Sequence, residues 1–482
     1  MSNNSVLRTN THVVDILGNV NGRDQPIMLM EKAIELISLL GEEILSDDEI
    51  VFFDPFCKAG EILLACAYSS CLAKSKRKIL SLDEIQNELY KSNRYFALAP
   101  DERHHRLSLR TFLGNTHSHD MQFNHIIRDG HYLSEIDGRL DRDKFEKEFS
   151  SMIEYIKSTS KKKKIIAIGN PPYQESDGGF GGSATAVYNF FTEALMDSAD
   201  ISEVVLVIPS RWFTTGKGAT AFRERVMKSK TIKTIQHFEH SQKVFPTVDV
   251  QGGVCFFHHK AEYNGDVEFI ENSVSSMVNL SSAEIILDDP RGYGLIEKVK
   301  KNWKGEFVSK DAWPVRPFGI RTFYFDRTEA LSEKHADAIP CFTKRRKIQY
   351  ANIKDIHKNL DKIEEWKVAV PKAYAPGTRR VTLPVSQFFI IPKGFITTET
   401  YNVVGCFKKK SEAENFQAYL STNFARYFLG LRKVTQDIYK SQWSWVPLMD
   451  VTQKWTDDQL YKLFKITKEE QEHIKKKLQE WS

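Results

Sequence analysis

Over roughly the first half of the chain, short apolar runs alternate with segments whose apolar residues recur every three or four positions. Tyr95–Ala99, Ile165–Ile168, Val204–Ser210 and Ile232–Phe238 are rich in β-branched and aromatic residues, and each predicts a strand. Pro26–Leu45, Tyr188–Met196 and residues 219–228 carry helical spacing, with Pro26 suited to a first helical turn. Glu49–Leu64 reads as strand, tight loop and helix, and residues 120–164 as charged and helical. Strand and helix in alternation predict a doubly wound α/β sheet, and the Val- and Phe-rich stretch from Val248 to Phe257 predicts a terminal antiparallel hairpin.

One strand ends abruptly. Ile165-Ile166-Ala167-Ile168-Gly169 runs into Asn170-Pro171-Pro172-Tyr173. The two prolines have no N–H and a fixed φ, so no sheet ladder passes through them. Asn170 is thereby placed on a stiff loop at a strand's C-terminal end, where open α/β sheets bind ligands. Turn chemistry explains Pro-Pro but not Asn and Tyr at its two ends. The tetrad suits methylation of a planar exocyclic amine. The Asn170 amide oxygen and the Pro171 carbonyl can each accept one amine N–H, drawing the nitrogen towards sp3 character. Tyr173 offers a flat face on which an extruded base can stack.

Composition narrows the class. A chain of 482 residues exceeds one ordinary core, so two or three domains are expected. With 41% hydrophobic and 12% aromatic residues, it is a folded rather than a disordered chain. The net charge of +5 permits nucleic-acid binding without requiring it. The cysteines at 57, 66, 71, 255, 341 and 406 form no C-x-x-C pair, and His104, His105, His117 and His119 lack carboxylate–His spacing, so no metal site is expected. Reduced thiols, a polar N-terminus unlike a signal peptide and no apolar run of about 18 residues point to a cytoplasmic protein outside the membrane.

Residues 258–290 read as a transition. Beyond residue 300, basic residues interleave with aromatics: Arg321, Lys344, Arg345, Arg346, Arg379 and Arg380 lie among Tyr350, Tyr374, Tyr401, Tyr439, Trp443 and Trp445. Clustered in space, such groups neutralise phosphates and read or wedge bases.

Asn-Pro-Pro-Tyr resembles the catalytic motif of DNA adenine-N6 methyltransferases, which recurs in protein-glutamine N5 methyltransferases. Asp54-Pro55-Phe56-Cys57-Lys58-Ala59-Gly60 is similar to the family's S-adenosylmethionine loop, usually Asp-Pro-Ala-Cys-Gly-Ser-Gly; Lys58 replaces a glycine. Phe318–Thr322 and Asp437–Tyr439 ahead of Trp443–Pro447 look like the C-terminal halves of bacterial type II restriction-modification methylases. The order of cofactor loop, tetrad and recognition region is the gamma arrangement. The resemblance implies a seven-stranded doubly wound methyltransferase fold at 1–265 and an α+β target-recognition domain at 300–482. It implies Asn170, Pro171, Pro172 and Tyr173 as catalytic. Asp54, Pro55, Phe56, Cys57 and Gly60 would hold S-adenosylmethionine, with the following helix N-terminus favouring its methionine carboxylate. Asp101 would grip the ribose and Asn115 the adenine. Phe245 stands where the family has a second aromatic against the flipped base, although core packing is an equal reading. With Arg321, Lys344, Arg345, Arg346, Arg379 and Arg380 it makes the DNA-binding set.

The function implied is adenine-N6 methylation of double-stranded DNA with base flipping, by a monomeric bacterial or phage-encoded modification enzyme. A separate cognate restriction endonuclease is a partner the resemblance leaves open. A fused nuclease is not expected, since no Pro-Asp precedes a strand carrying Glu-x-Lys. Cytosine-C5 methylation would need a placed thiolate, and Cys341 of Pro340-Cys341 lies after the cofactor fold. Two alternatives stay open: a DNA-binding or specificity protein that has lost catalysis, which Lys58 favours, and a protein-glutamine methyltransferase, which leaves the chain beyond residue 300 without a task.

Overall fold

The computed structural model describes residues 27–75, 80–113, 126–127, 130, 132–133, 139–162, 164–175, 185–214, 218–250, 252–374, 382–433 and 436–481. The chain divides into two compact units, one up to Pro290 and one from Arg291.

The first unit is built on one sheet. Its strands are β1 (Ile50–Asp54), β2 (Tyr95–Leu98), β3 (Ile126–Ile127), β4 (Lys164–Gly169), β7 (Ile201–Pro209), β8 (Ile232–Phe238), β9 (Val254–Lys260), β10 (Val267–Glu271) and β11 (Val274–Val278). A separate two-stranded ladder, β5 (Gln174–Glu175) with β6 (Thr185–Ala186), lies just past the tetrad. The sheet order is β11-β10-β8-β9-β7-β4-β1-β2-β3. From β3 to β7 every pairing is parallel; β9 inserts antiparallel between β7 and β8. Seven strands, β8-β9-β7-β4-β1-β2-β3, make the expected sheet. The two additional strands come from residues read as a transition: β10 pairs parallel to β8, and β11 folds back on β10. Polar Glu268, Ser275 and Ser276 alternate with buried Val267, Phe269 and Val278, a pattern too short and polar to stand out in sequence.

Helices cover both faces. Adjacent residues in a strand point to opposite sides, and β1 shows it. Phe52 joins a core with Ala33 and Leu36 of α1 (Met30–Ser38) and Leu63 and Ala67 of α2 (Glu61–Ser75). Phe53 stacks on Phe149, with ring centres 6.0 Å apart, in the later helix Arg142–Ser160. Strands buried on both faces lose their polar alternation, which is why they read as continuous apolar runs. The expected continuous helix from Pro26 to Leu45 is instead two: Gly41, at φ 85°, stops α1, and Glu42–Ser46 forms a separate turn of helix.

Arg94, which the pattern of apolar residues does not reveal, is fully buried at the start of β2. It donates to the Ile50 carbonyl at 2.9 Å, the Leu45 carbonyl at 3.2 Å and Glu88 at 2.8 Å. Its guanidinium lies 5.2 Å from the centre of the Phe52 ring. Glu88, in α3 (Leu82–Lys91), also takes the Tyr95 hydroxyl at 3.0 Å and Lys74 of α2 at 2.9 Å. A buried charge is tolerated when its donors are spent in this way.

The second unit holds two three-stranded sheets. In one, β12 (Ala338–Phe342) pairs antiparallel with β13 (Ile348–Asn352) and parallel with β16 (Ile396–Thr397). In the other, β14 (Trp366–Pro371) lies between β15 (Phe389–Ile391) and β17 (Tyr401–Phe407), antiparallel to both. The lysine-rich end forms the helix Lys468–Glu480, opened by a Thr467/Glu470 capping box. Trp443, Trp445 and Tyr401 are buried, so these three aromatics pack the unit rather than face bases. No helix among the described residues is long and apolar enough to cross a membrane.

Replacing Arg94 by Ala leaves Glu88 and two carbonyls short of a buried donor. The expected loss is about 3–5 kcal/mol in urea unfolding. A loss below about 1 kcal/mol, the scale of an exposed pair, would show that the network does not hold this edge of the sheet.

Candidate active site

β1 and β4 are neighbouring parallel strands in which Phe53 is paired with Ala167. In that register Asp54 stands level with Ile168, and β4 runs one residue further, to Gly169, before the tetrad. The contact is tight. A Cβ added at Gly169 would stand 2.7 Å from an Asp54 carboxylate oxygen and 3.1 Å from the Phe56 ring. Any side chain at 169 would push the tetrad away from the β1 loop. Sequence reading used Gly169 only as a strand stop; its role in bringing two loops together depends on which strands are neighbours.

The loop after β1 is pinned from several directions. Asp54 accepts the Phe56 N–H at 2.9 Å, the Cys57 N–H donates to the Leu98 carbonyl at 3.1 Å, and the Tyr132 hydroxyl donates to the Pro55 carbonyl at 2.9 Å. Phe56 packs edge-on against Phe191 of the helix Tyr188–Asp197, with ring centres 5.1 Å apart. Gly60, at φ 80°, ends the loop; a Cβ there would stand 2.6 Å from the Phe112 ring. Burial pushes the Cys57 thiol well above its ordinary range, so it is a packing group and not a nucleophile.

Three ionisable groups share this strand end. Asp54 is 2% exposed, and burial raises its carboxyl to about 8. Burial also raises Glu61, whose carboxylate accepts the Met28 N–H at 3.1 Å. Lys58, partly exposed, is pushed down to about 8 by desolvation, against the pull of Glu61 and Asp54.

In the tetrad, Asn170 is 3% exposed, Pro171 is buried, and Pro172 and Tyr173 are partly exposed. The Tyr173 ring packs on the core of the first unit, and its carbonyl accepts the Val187 N–H at 3.2 Å. Burial holds its phenol well above the ordinary range.

Other expected residues fall elsewhere. Asp101 caps the helix Glu102–Leu113: it accepts the His104 N–H at 2.8 Å, and both its oxygens lie 2.8 Å from His104 Nδ1. Its carboxylate is engaged in this cap. Phe245 is 0% exposed in the core with Phe238, Val254 and Phe256, which settles its two readings in favour of packing. Asn115, Arg379, Arg380 and most of the Gly-rich stretch Gln174–Ser183 lie outside the described residues. Arg321, in the second unit, is exposed beside the Phe323 ring, 5.5 Å from its centre. Lys344, Arg345 and Arg346 form the exposed tip between β12 and β13. No group of three or more His, Cys, Asp or Glu among the described residues could hold a metal ion.

The buried Asp54 makes stability depend on pH. Its carboxyl is raised from 3.8 to about 8, so between those values the folded chain binds more protons than the unfolded one. Stability therefore falls as pH rises through that window. Asp54→Asn removes the effect, and its gain in Tm should be larger near about pH 8 than near about pH 5. Equal gains at both values would contradict the burial of a carboxyl at this position.

Comparison with known proteins bears on the same segment. Residues 73–245 match the family model of the Eco57I restriction-modification methylase. A curated relative described as an uncharacterized adenine-specific methylase, from Mycoplasma pneumoniae, is 26% identical over 154 residues, covering 30% of this chain and 36% of that protein. The chain thus matches about a third of that relative's length. Among solved structures, a nuclease-deletion mutant of the Type ISP restriction-modification enzyme LlaGI with a DNA substrate mimic matches at TM-score 0.49 and 11% identity, covering 90% of this chain and 47% of that one. The type IIG restriction endonuclease BpuSI matches at TM-score 0.42 and 13% identity, covering 94% and 62%. The matched segment includes the Asn170–Tyr173 turn, and the β1 loop lies before it.

Proposed function

We propose that this chain transfers a methyl group from S-adenosylmethionine to N6 of an adenine turned out of double-stranded DNA, as the modification component of a restriction-modification system. The observation that carries the proposal is the pairing of β1 with β4, which sets Asp54 and the Asn170–Tyr173 turn against each other across Gly169.

The β1 loop fits the cofactor by its chemistry. The partly exposed ammonium of Lys58 complements the ligand's carboxylate, the buried Asp54 carboxyl offers polar contact, and Gly60 keeps the loop's end free of a side chain. Asp54, Pro55, Phe56, Cys57 and Gly60 would hold it. When bound, S-adenosylmethionine supplies an electrophilic methyl group. The rest is the chain's own work. The Asn170 amide oxygen accepts one N–H of the exocyclic amine and the Pro171 carbonyl the other. The nitrogen lone pair, drawn out of conjugation with the ring, becomes nucleophilic. The new N–C bond forms directly, and the surplus proton leaves to water. Asn170 has no basic group, so it orients and polarises without taking the proton. Tyr173 supplies the stacking face.

The second unit supports DNA over a protein substrate. At the β12–β13 tip, Thr343 and Lys347 close the turn through an N–H···O bond of 2.8 Å. Arg345 and Arg346 both adopt φ 58°, a conformation that costs a non-glycine residue about 1–3 kcal/mol. Arg346 holds the tip down: its N–H donates to the Tyr401 hydroxyl at 2.8 Å, and its guanidinium donates to the Ser386 carbonyl and lies 4.4 Å from the Phe389 ring centre. Its role is therefore anchoring. Lys344, Arg345 and Lys347 project exposed and without an ion pair among the described residues. A rigid tip with unneutralised cations suits a polyphosphate backbone.

With labelled S-adenosylmethionine and duplex DNA, Asn170→Ala should slow methyl transfer about 10²–10³-fold, the scale for loss of one preorganised polar contact, while DNA affinity stays near that of the parent. Retained transfer would sink the assigned role. Lys344→Glu with Arg345→Glu should weaken binding to all DNA sequences alike and reduce the slope of log affinity against log salt by about 2, one per phosphate contact. An unchanged slope would remove the tip from the DNA interface.

A further inference from the structure

The five residues of Phe318–Thr322 divide sharply in what they do. Phe318 and Ile320 sit in a core with Ile339, Cys341 and Ala351. Gly319 turns the chain at φ 85°. The Thr322 hydroxyl lies 3.2 Å from that of Thr400. Arg321 alone of the five is exposed. Glu399 holds the backbone on both sides of it. Its N–H donates to the Ile320 carbonyl at 2.9 Å, and its carboxylate accepts from Arg316 at 2.8 Å and from the Thr322 N–H at 3.5 Å.

The same turn joins this segment to the basic tip. β16 runs parallel to β12 with Thr397 opposite Phe342, so residues 398–400 leave the sheet at the end where residues 343–347 leave it. The Thr398 N–H donates to the Phe342 carbonyl at 3.1 Å. Arg321 therefore stands at the tip's end of the β13-β12-β16 sheet.

A second arginine joins it there. Phe323, partly exposed, has two guanidiniums over its ring, Arg321 at 5.5 Å and Arg327 at 4.9 Å from the ring centre. Arg327 ends the short helix Tyr324–Arg327, four residues after Phe323, a spacing that sets the two side chains together. The helix is fixed from beneath: Tyr324 and Phe325 pack on the Phe318 core, and the Tyr324 hydroxyl donates to Asp355. Both arginines are exposed, and neither has an ion pair or a side-chain hydrogen bond among the described residues. Two like charges gathered at one ring repel each other, and a ligand rich in acceptors offsets that.

Their chemistry differs from that of the tip. A guanidinium resting on an aromatic ring keeps its N–H groups for other acceptors, and its planar fork is pre-organised. That fork matches the paired O6 and N7 acceptors of guanine in the major groove. Lys344 and Lys347 are point charges, suited to phosphates at any sequence. We propose that Arg321 and Arg327, positioned by Phe323, read guanine in the target sequence, while the tip holds the DNA backbone. The proposal rests on the DNA-methylation reading above and names the residues that set its sequence preference.

The parent's methylated motif is first read from the DNA of expressing cells. Methyl transfer is then timed on duplexes carrying that motif, and on duplexes in which each G·C pair in turn is replaced by A·T. The parent should favour the intact motif about 10–100-fold at a guanine position, the range for one bidentate base contact. Arg321→Ala and Arg327→Ala, each showing the parent's cooperative thermal transition, should lose that preference at a guanine and keep the parent's preference elsewhere. Arg321→Lys retains the charge without the fork; it should lose the preference too, with the salt dependence of DNA affinity unchanged. Unchanged preferences in both alanine variants, or slower transfer on every duplex alike, overturn the proposal and leave the DNA reading intact. Full preference in the lysine variant also overturns it, because it marks a phosphate contact. Parent DNA without methylated adenine overturns the reading beneath the proposal, and the proposal falls with it.

Discussion

The parallel register of β1 against β4 is the constraint on which the site depends. With Phe53 opposite Ala167, β1 ends at Asp54, level with Ile168, and β4 ends one residue further on at Gly169, which lies against the Asp54 carboxyl. A slip of one residue would turn every side chain of one strand to the other face. It would drive Phe52 out of the α1–α2 core and Phe53 away from Phe149. Burying one such aromatic is worth about 1.5–3 kcal/mol, so the hydrophobic core enforces the register that the chemistry requires. Gly169 completes the arrangement by leaving room for the Asp54 carboxylate.

The molecule treats buried charge differently at two places along the same sheet. At the start of β2, Arg94 is surrounded by acceptors and Glu88 by donors, so the charges hold the edge together. At the end of β1, Asp54 and Lys58 are desolvated without pairing to each other, and their proton affinities move towards one another, each to about 8. Groups perturbed in this way cluster where ligands bind. The first cluster stabilises the fold through its hydrogen bonds.

The strands of the first unit were legible because burial on both faces leaves long apolar runs: Ile232–Phe238 falls where the pattern puts it, and Val204–Ser210 lies almost wholly within Ile201–Pro209. The tetrad was legible because Pro-Pro ends a strand by covalent necessity. Other features needed three dimensions. Asp101 looks like a ligand acid in sequence, but it stands one residue before a helix and caps it. Phe245 is an aromatic at a plausible distance from the tetrad, and only packing shows it in the core. Arg94 looks like any surface arginine until Leu45, Ile50 and Glu88 converge on it. Glu61 reads as an ordinary first-turn acid, and its hydrogen bond from Met28 joins residues 33 positions apart. The hairpin of β10 and β11 is short and polar on one side, so the sheet's outer edge was not visible.

The second unit presents a basic tip locked by Arg346, and the first presents the Asn170–Tyr173 turn beside a charged loop. Together they support modification of adenine in DNA, and the most direct test is sequencing of DNA from cells expressing the chain by a method that detects methylated bases. The account predicts N6-methyladenine at one short sequence motif, absent when Asn170 is replaced by Ala. Unmodified adenine throughout, or methylated cytosine in its place, would contradict it.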